Sequence, residues 1–473
     1  MMRFKPVCFL PLFILAIFAM SSCSGPKAGT VIGGGGRNGT VNIVLTTKAF
    51  PGSAPSTISV LSFTVAIGSI SITSSSSKVS TITPTNPTVD LNKLLSDSTY
   101  LGQTTSDSNI LTGMEIHINN ASVVYCTATA GVPGCNPGSI QTVTLTGTTV
   151  VNNAAPTFPI TDLNLGMQIG FNLKNALVLN AGGTAVTAID FTQALTTQVE
   201  AIGEGNLTSP QIEWIEDVTG VVTAASPTQV TLSSTTAGAF TGNIVTGTSN
   251  LVRAPAVGQV ADMDLILNND GTFTTQVFDQ IDTTSNDWIE GVIGYAPTAL
   301  NQFQIITTNY VPATTGSHLG TNLHLGTPVT VTISPGTSFT VDAKSLTVTT
   351  GDNFTSATDT SVMAPGQVVA IRATAFTGPN GTTPATATAN AVTLRYTRVT
   401  GQPGAGGNNF QFLPIGPYLG IQNLATTFET TGATNYDVPG GGTSATANIV
   451  AAIRALYFTS TSGATFYIAK VRQ

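Results

Sequence analysis

A short motif that returns along the chain constrains the fold more than any other feature. It reads Trp-Ile-Glu-Asp-Val-Thr-Gly at 214–220 and Trp-Ile-Glu-Gly-Val-Ile-Gly at 288–294, and a weaker copy reads Tyr-Thr-Arg-Val-Thr-Gly at 396–401. A second marker, Gly-Gln-Val, follows the first two copies at 258–260 and 366–368. Markers that recur in the same order indicate internal duplication rather than chance.

Each repeated unit has the length and turn content of a small β-barrel. The units have room for five or six short strands with Gly-rich turns, and hairpin turns are expected at 268–271 and 378–381. Five strands that close on themselves without helices predict an OB-like barrel. We therefore predict an all-β chain with barrel repeats at 201–283, 284–394 and 395–473.

Two places within the repeats need a separate interpretation. The second repeat is the longest and carries an insertion around 311–328. Residues 448–456 are rich in alanine, which favours a helix. A third marker, Ala-Ile-Arg-Ala at 370–373 and 452–455, places this stretch where the preceding unit has a strand. We therefore predict a strand at 448–456.

The region before the repeats, 40–200, alternates apolar and polar residues with the period of a β-strand. Leu61, Phe63, Val65 and Ile67 alternate with small or polar residues, and similar alternation returns further along the chain. This pattern predicts half-buried strands and a β-sandwich. The alternation breaks at 89–95, where we expect one helical turn.

The order of short motifs in this region resembles a domain of unknown function that stands at the N-terminus of many bacterial lipoproteins. The motifs are Gly-Thr-Val at 39–41, Phe-Thr-Val at 63–65, Val-Asp-Leu at 89–91, Leu-Thr-Gly at 111–113 and Ile-Asp-Phe at 189–191. The resemblance covers about 38–198 and implies a β-sandwich with no known reaction. Thr-Thr-Lys-Ala at 46–49 replaces the usual Thr-Asp-Ala-Pro of that family, so no acidic site is carried over.

The repeats are in turn similar to a second family of unknown function, which often occurs in tandem in bacterial lipoproteins. The similarity rests on the short Gly-x-Val and Gly-Gln-Val motifs of each unit. Together the two resemblances imply a lipoprotein with an N-terminal sandwich and OB-like repeats.

Residues 1–22 have the pattern of a secretory signal. Arg3 and Lys5 precede an apolar run at 7–20, and two serines stand before Cys23. A cysteine after small residues resembles the lipobox of bacterial lipoproteins, which implies cleavage before Cys23 and lipid attachment to its thiol. The alternatives are secretion without lipid and a spanning helix, for which the run is too short.

The segment that follows Cys23 predicts how the protein is placed. Residues 23–39 are rich in glycine and form a flexible tether in this interpretation. Ser24, in place of an aspartate, resembles the signal for sorting to the outer membrane. Met20 stands where the lipobox usually has leucine, a small departure from the pattern.

The remaining cysteines and the overall charge limit the chemistry. In an oxidising compartment Cys126 and Cys135, which flank a short Gly/Pro-containing turn, are expected to form a disulfide. Charged residues make up only 8% of the chain, and the formal net charge is −7. Without a basic patch, nucleic acid is excluded as an expected partner.

No stretch carries a catalytic signature. His318 and His324 lie in the insertion without metal-ligand spacing, and His117 alternates with apolar neighbours. Carboxylates concentrate around Trp214 and Trp288. Tryptophan beside paired acids would suit contact with a sugar, so both tryptophans are speculative ligand contacts. The competing interpretation is that each tryptophan closes a barrel while the acids are solvated.

Three functions remain open at this stage. The first is a lipid-anchored envelope protein with a non-enzymatic binding or structural role, possible partners being a polysaccharide or another envelope protein. The second is a glycan hydrolase that uses the acids near Trp214 or Trp288. The third is a subunit of a larger envelope assembly. No cofactor or catalytic residue is expected, and a calcium site at Asp279, Asp282 and Asp287 would lack the usual ligand spacing.

Overall fold

The computed structural model describes most of the chain from Gly39 onwards. The described residues are 39–47, 58–84, 88–107, 110–127, 134–136, 138–145, 148–152, 158–159, 163–171, 177–181, 184–189, 195–203, 213–268, 271–283, 285–296, 301–344, 346–348, 354, 362–380, 383–404, 410–412, 426–438, 442–449, 451–460 and 463–473. The predicted signal, Cys23 and the tether up to residue 38 lie outside them. For Trp214 and His117 only the backbone is described.

The described chain is built almost entirely of β-strands, which confirms the all-β prediction. The N-terminal domain contains β1 (Gly39–Thr47), β2 (Ile58–Ser74), β3 (Val79–Ile82), β4 (Thr88–Asp90), β5 (Thr99–Ser106), β6 (Ile110–Thr127), β7 (Gln141–Leu145), β8 (Thr148–Asn152), β9 (Phe158–Pro159), β10 (Leu163–Phe171), β11 (Leu177–Ala181), β12 (Thr184–Ile189) and β13 (Leu195–Gly203). A 3-10 turn at Lys93–Leu95 lies within the predicted helical turn.

Three further groups of strands follow, which we call the first, second and third units. The first unit contains β14 (Glu213–Ala225), β15 (Gln229–Ser234), β16 (Gly238–Asn243), β17 (Asn250–Leu251), β18 (Gln259–Leu267) and β19 (Phe273–Thr283). The second contains β20 (Asp287–Tyr295), β21 (Gln302–Val311), β22 (Pro328–Val341), β23 (Val368–Thr377) and β24 (Ala385–Arg395). The third contains β25 (Thr397–Pro403), β26 (Phe410–Phe412), β27 (Thr426–Asp437), β28 (Ala451–Ser460) and β29 (Gly463–Arg472).

The N-terminal domain has two main sheets. One has the strand order β5-β1-β13-β10-β8, and the other has the order β3-β2-β6-β7, with β4 beside β2 and β9 beside β6. Phe63, Val65 and Ile67 of β2 are buried, as their alternation predicts. The sheets meet where the Ser80 hydroxyl donates to the Thr105 carbonyl at 2.9 Å. Strands β11 and β12 form a separate hairpin.

The three units share one strand order. The second unit is a closed barrel in the order β20-β21-β22-β24-β23. In the first unit β14, β15, β16, β19 and β18 follow the same order, and parallel pairing of β16 with β19 completes the ring. The third unit has the order β26-β25-β28-β29-β27, with no pairing between its end strands among the described residues. Strand β28 begins at Ala451, so it confirms a strand in place of a helix over 451–456 of the predicted 448–456, and Asn448 and Ile449 lie in a turn before it.

One hydrogen-bonding arrangement recurs in every unit. In each unit a serine or threonine hydroxyl donates a hydrogen bond to a backbone carbonyl of the last strand. The pairs are Ser249 and Thr275 at 2.5 Å, Thr337 and Ala389 at 3.1 Å, and Thr434 and Ile468 at 2.7 Å. Each hydroxyl also accepts a bond from a backbone N–H three or four residues earlier. This arrangement fixes equivalent positions among the units, and it makes Leu251, Phe339 and Tyr436 equivalent.

Each unit has its own core, and the units also pack on the N-terminal domain. Val44 of β1 belongs to the apolar core of the first unit. Leu61 and Val124 pack with the second unit's Val292 and Val368 beside the disulfide. The expected Cys126–Cys135 bond is present, with 5.6 Å between the two Cα atoms. Among the described residues, no helix has the length and apolar character needed to cross a membrane.

The predicted insertion lies between β21 and β22, and it contains no strand. Leu319 and Leu323 of this segment are buried in the core of the second unit. The expected turn at 268–271 is also present, since the Asn268 N–H donates to the Thr272 carbonyl and the Gly271 N–H donates to the Asn268 carbonyl.

Close packing of two strands in the first unit predicts a cost for adding one methyl group. A Cβ at Gly220 would lie 2.2 Å from the Ser233 carbonyl oxygen, a backbone atom that cannot turn aside. We expect Gly220→Ala to lower the free energy of unfolding in urea by about 2 kcal/mol. Gly432→Ala is the matched control, because a Cβ there meets no atom within 4 Å. Equal effects of the two substitutions would contradict this packing.

Candidate functional site

The most unusual feature of the structure is a group of charged side chains buried where the units meet. We call it the ionic centre. It consists of Asp97 of the N-terminal domain; Glu216, Asp217, Asp262 and Asp264 of the first unit; Glu290, Asp342, Lys344 and Arg395 of the second; and Arg398, Arg454 and Lys470 of the third. Every one of these side chains is at most 9% exposed. Burial of so many charges requires that they be paired.

The local structure of β14 directs two consecutive acids into this centre. The pairing of β14 with β18 shifts between Ile215 and Val218, so Glu216 and Asp217 form a bulge. Asp217 adopts a left-handed φ of 52°, and its N–H donates to the Asp264 carboxylate at 2.8 Å. A bulge changes the direction of side chains that would otherwise alternate across the sheet. Both acids are thereby buried at one place.

Three aspartates of the first unit surround one lysine of the second. Oxygen atoms of Asp217, Asp262 and Asp264 lie within 4.8 Å of one another, an arrangement that would suit a metal ion. Lys344 Nζ lies 2.8 Å from Asp217, 2.9 Å from Asp262 and 2.9 Å from Asp264. The ammonium group therefore supplies the positive charge that a cation would otherwise provide at these oxygens.

Arg395, the last residue of β24, joins the first unit to the second. Its guanidinium contacts Asp262 at 2.7 Å and Glu290 at 3.1 Å, and it also pairs with Asp342. The same group lies 5.9 Å from the centroid of the Trp288 ring. Arg395 thus pairs with three carboxylates and has an aromatic ring beside it.

The third unit contributes only bases to the centre. Arg454 contacts Glu216 at 3.0 Å and Asp217 at 2.6 Å, while Lys470 contacts Glu216 at 2.6 Å. Arg398 pairs with Asp217 and also contacts Asp97 of the N-terminal domain through Nε at 3.0 Å. Because Asp217 is bound by bases of two other units, it fixes the first unit against both.

A neighbouring contact extends the centre towards the N-terminal domain. The Arg472 guanidinium donates to the Asp97 carbonyl at 2.8 Å and to the Ser98 hydroxyl at 2.7 Å. Arg472 is also 2.8 Å from the Asp437 carboxylate. Strand β29 is therefore attached to the N-terminal domain.

The charged groups of the ionic centre shift one another's pKa values. Burial alone would raise the pKa of Asp217, but Arg454, Lys344 and Arg398 hold that pKa well below its ordinary value. Burial would lower the pKa of Lys344, yet Asp217, Asp262 and Asp264 raise it well above the usual 10.5. Asp217 and Lys344 are therefore ionised together over the neutral range.

The pKa values of two other carboxyls of the centre are raised. Burial raises the pKa of Asp342 to about 6 despite the attraction of Arg395, which is shared with Asp262 and Glu290. Its Oδ1 atom has no hydrogen-bond partner among the described residues. Burial also raises the pKa of Glu216, against the opposing effect of Lys470 and Arg454. The centre contains seven acids and five bases, and burial raises the pKa of these two carboxyls.

The pocket beside the ionic centre is too small for a sugar. It lies where the N-terminal domain meets the first two units, and its lining includes Asp97, Glu216, Asp217, Thr236 and Asn309. Its volume is about 50 Å³, whereas sites for small molecules usually enclose several hundred cubic ångströms. The geometry suits ordered water better than an organic ligand.

Three of the acids around the repeated tryptophans are buried rather than solvated, contrary to the competing interpretation of the sequence. Glu216, Asp217 and Glu290 are all buried because each is paired with a base. Trp288 is only 4% exposed, which leaves little of it for the ligand contact proposed from the sequence. The side chain of Trp214, the other such residue, lies outside the described part of the structure.

Two of the three acids considered for calcium, Asp282 and Asp287, have separate partners. Asp282 pairs with Arg372, whereas Asp287 accepts bonds from the Ala313 N–H and the Ser317 hydroxyl. Asp287 also accepts from the His318 N–H, and the His318 ring lies 3.2 Å away through Nδ1. The latter contacts show that Asp287 fastens the insertion to β20. His324 is exposed.

The sequence interpretation missed the bases that pair with the acids. Arg398 stands in the third copy of the repeated motif, and Arg372 and Arg454 stand at one position of the third marker. In a protein with few charges, charged residues that recur at the same strand position were the signal that could have revealed these bases.

No protein-family model, no curated protein and no solved structure matches this chain.

Removal of the buried lysine is expected to destabilise the protein strongly. Lys344→Met keeps an unbranched side chain one atom shorter but leaves Asp217, Asp262 and Asp264 without their shared ammonium. We expect a loss of about 3–5 kcal/mol in the free energy of unfolding. Arg372→Met is the control, because the Arg372–Asp282 pair is partly exposed and should be worth about 1 kcal/mol or less. A smaller loss for Lys344→Met than for Arg372→Met would contradict the account.

The raised pKa of Asp342 predicts a definite pH dependence. Because the folded protein holds this proton up to about pH 6 and the unfolded chain only to about pH 4, the group contributes stability at low pH that is lost as pH rises through 6. We expect Asp342→Asn to remove a decline of roughly 3 kcal/mol over this range. Urea unfolding of both proteins between pH 4 and 7 measures it. Parallel pH profiles would refute the assignment.

Proposed function

We propose that this protein is a lipid-anchored envelope protein with a non-enzymatic, structural role. The observation that carries the proposal is that charged side chains of all three units and of the N-terminal domain pair with one another in the ionic centre and hold these parts together. In this proposal the units form one fixed arrangement that presents its outer faces to a polysaccharide or to another envelope protein.

The anchor in this proposal is a lipid on Cys23. It is supported by the basic residues, apolar run and small residues that precede Cys23 in the sequence. The Cys126–Cys135 disulfide is consistent with export, since such bonds persist in oxidising compartments. Outer-membrane placement rests on Ser24 and belongs to the same proposal.

Glycan hydrolysis, the alternative from the sequence, is not favoured by the geometry. That chemistry needs two carboxyl groups at catalytic separation that face a substrate cleft. Glu216 is bound by Arg454 and Lys470, and Glu290 by Arg395. Such pairing leaves these acids without room for a sugar between them.

Substitution of the predicted lipid site tests the anchor. We expect Cys23→Ala to move the protein from the membrane fraction to the soluble fraction and to abolish its labelling by palmitate in cells. Cys8→Ala is the control, because Cys8 would leave with the signal and should change neither result. Retention of labelled Cys23→Ala protein in the membrane would refute lipidation at this residue.

A further inference from the structure

The contact between Lys470 and Glu216 is enclosed by the units that supply it. Lys470 lies in β29, and its backbone is in register with Arg454 of β28 and Asn435 of β27. Its Nζ atom is 2.6 Å from Glu216 Oε2, and the two side chains are 0% and 5% exposed. Because burial of two charges is costly even when they are paired, a neutral bond between these groups would remove that cost.

Two further charged groups stand beside this contact. Asp437 Oδ2 lies 3.7 Å from Lys470 Nζ, and its side chain is 42% exposed, so it can exchange protons with solvent. Arg454 Nη1 donates to the other oxygen of Glu216, Oε1, at 3.0 Å. The amine therefore has a carboxylate that can accept its proton, and the Glu216 carboxyl has a cationic donor that can stabilise negative charge on its oxygen.

The pKa shifts of the two acids suit different roles. Burial raises the pKa of Glu216, although Lys470 and Arg454 oppose this effect, and a protonated carboxyl is the form that an amine attacks. Burial alone would raise the pKa of Asp437 as well, but Arg472 and Lys470 hold that pKa below its ordinary value. Asp437 is therefore available as a base.

Lys344, the other lysine of the ionic centre, lacks this division of roles. Burial would lower its pKa, but the three aspartates around it raise that pKa well above the usual value. Burial would raise the pKa values of Asp217 and Asp262, but the bases around them hold both below the ordinary value. Because an ammonium group and carboxylates do not condense, Lys344 remains in an ion pair.

We propose that Lys470 and Glu216 condense to an amide, an isopeptide bond that joins the third unit to the first. The Asp437 carboxylate takes one proton from the Lys470 ammonium, and the freed amine attacks Cδ of the protonated Glu216 carboxyl. Arg454 stabilises the oxyanion on Oε1. Asp437 returns its proton to the Oε2 hydroxyl, which leaves as water, and then accepts the excess proton of the nitrogen. One C–N bond forms, one C–O bond breaks and one water is released, so the reaction needs no oxidant, reductant or cofactor.

The fold supplies the proximity that this reaction requires. Groups held in reactive contact reach effective concentrations of roughly 10⁵ M or more, far above those of free amines and carboxyl groups in water. Here the β14 bulge holds Glu216 and the paired strand β29 holds Lys470, although the two residues are 254 positions apart. The bond goes beyond the proposed structural role, because it depends on neither the lipid anchor nor an outside partner.

Mass spectrometry of the full-length protein tests the bond. We expect the denatured and reduced protein to have a mass about 18 Da below that calculated for the same chain, the mass of one water. A protease digest should contain one branched peptide in which Glu216 is joined to Lys470. Lys470→Arg retains the positive charge but lacks a primary amine, so it should have the full mass. Lys344→Arg is the matched control, because Lys344 is also a buried lysine beside acids, and this variant should keep the loss of water.

A further variant separates the chemistry from proximity. Asp437→Asn leaves Lys470 beside Glu216 but removes the base, so most molecules should keep the full mass. Wild-type protein of full mass would overturn the inference and leave the ion pair of the ionic centre unaffected. A loss of water that persists in Lys470→Arg, or that maps to another pair of residues, would overturn it as well. If a variant fails to fold, the presence or absence of the branched peptide in the wild-type digest decides.

Discussion

The structure depends on one constraint, which is that buried charged side chains must be paired with side chains of opposite charge. Asp217 illustrates it, since its carboxylate is bound by Lys344 of the second unit and by Arg398 and Arg454 of the third. If any of these units were displaced, a charge would remain buried without a partner, at a cost of several kcal/mol. The ionic centre therefore specifies where each unit lies relative to the others.

The units achieve this by differing at positions that duplication made equivalent. In the first unit the bulge of Glu216 and Asp217 lies opposite Asp264, whereas in the third unit Arg398 lies opposite Arg454. Identical units would place like charges together. Opposite charges at equivalent positions give the first and third units complementary faces. Buried ion pairs are better suited to such specificity than to stability alone.

The sequence predicted the features that depend on neighbouring residues. Alternation in β2, the hairpin at Asn268–Gly271, the strand at Ala451–Ser460 and the disulfide all follow from local pattern or from the repeats. The partners of the acids did not follow, because they depend on which units meet in space. Glu216 and Lys470 are 254 positions apart, and the bulge that directs Glu216 inwards is not visible as alternation.

The most direct test of the account is whether the first and third units are coupled through their charges. Glu216→Gln, Lys470→Met and the double variant form a double-mutant cycle on a contact of 2.6 Å. If the ionic centre holds the units together, the free energies of unfolding will be non-additive, with a coupling of about 1–3 kcal/mol. Additive effects of the two substitutions would show that these charges do not interact, and the account would then be wrong.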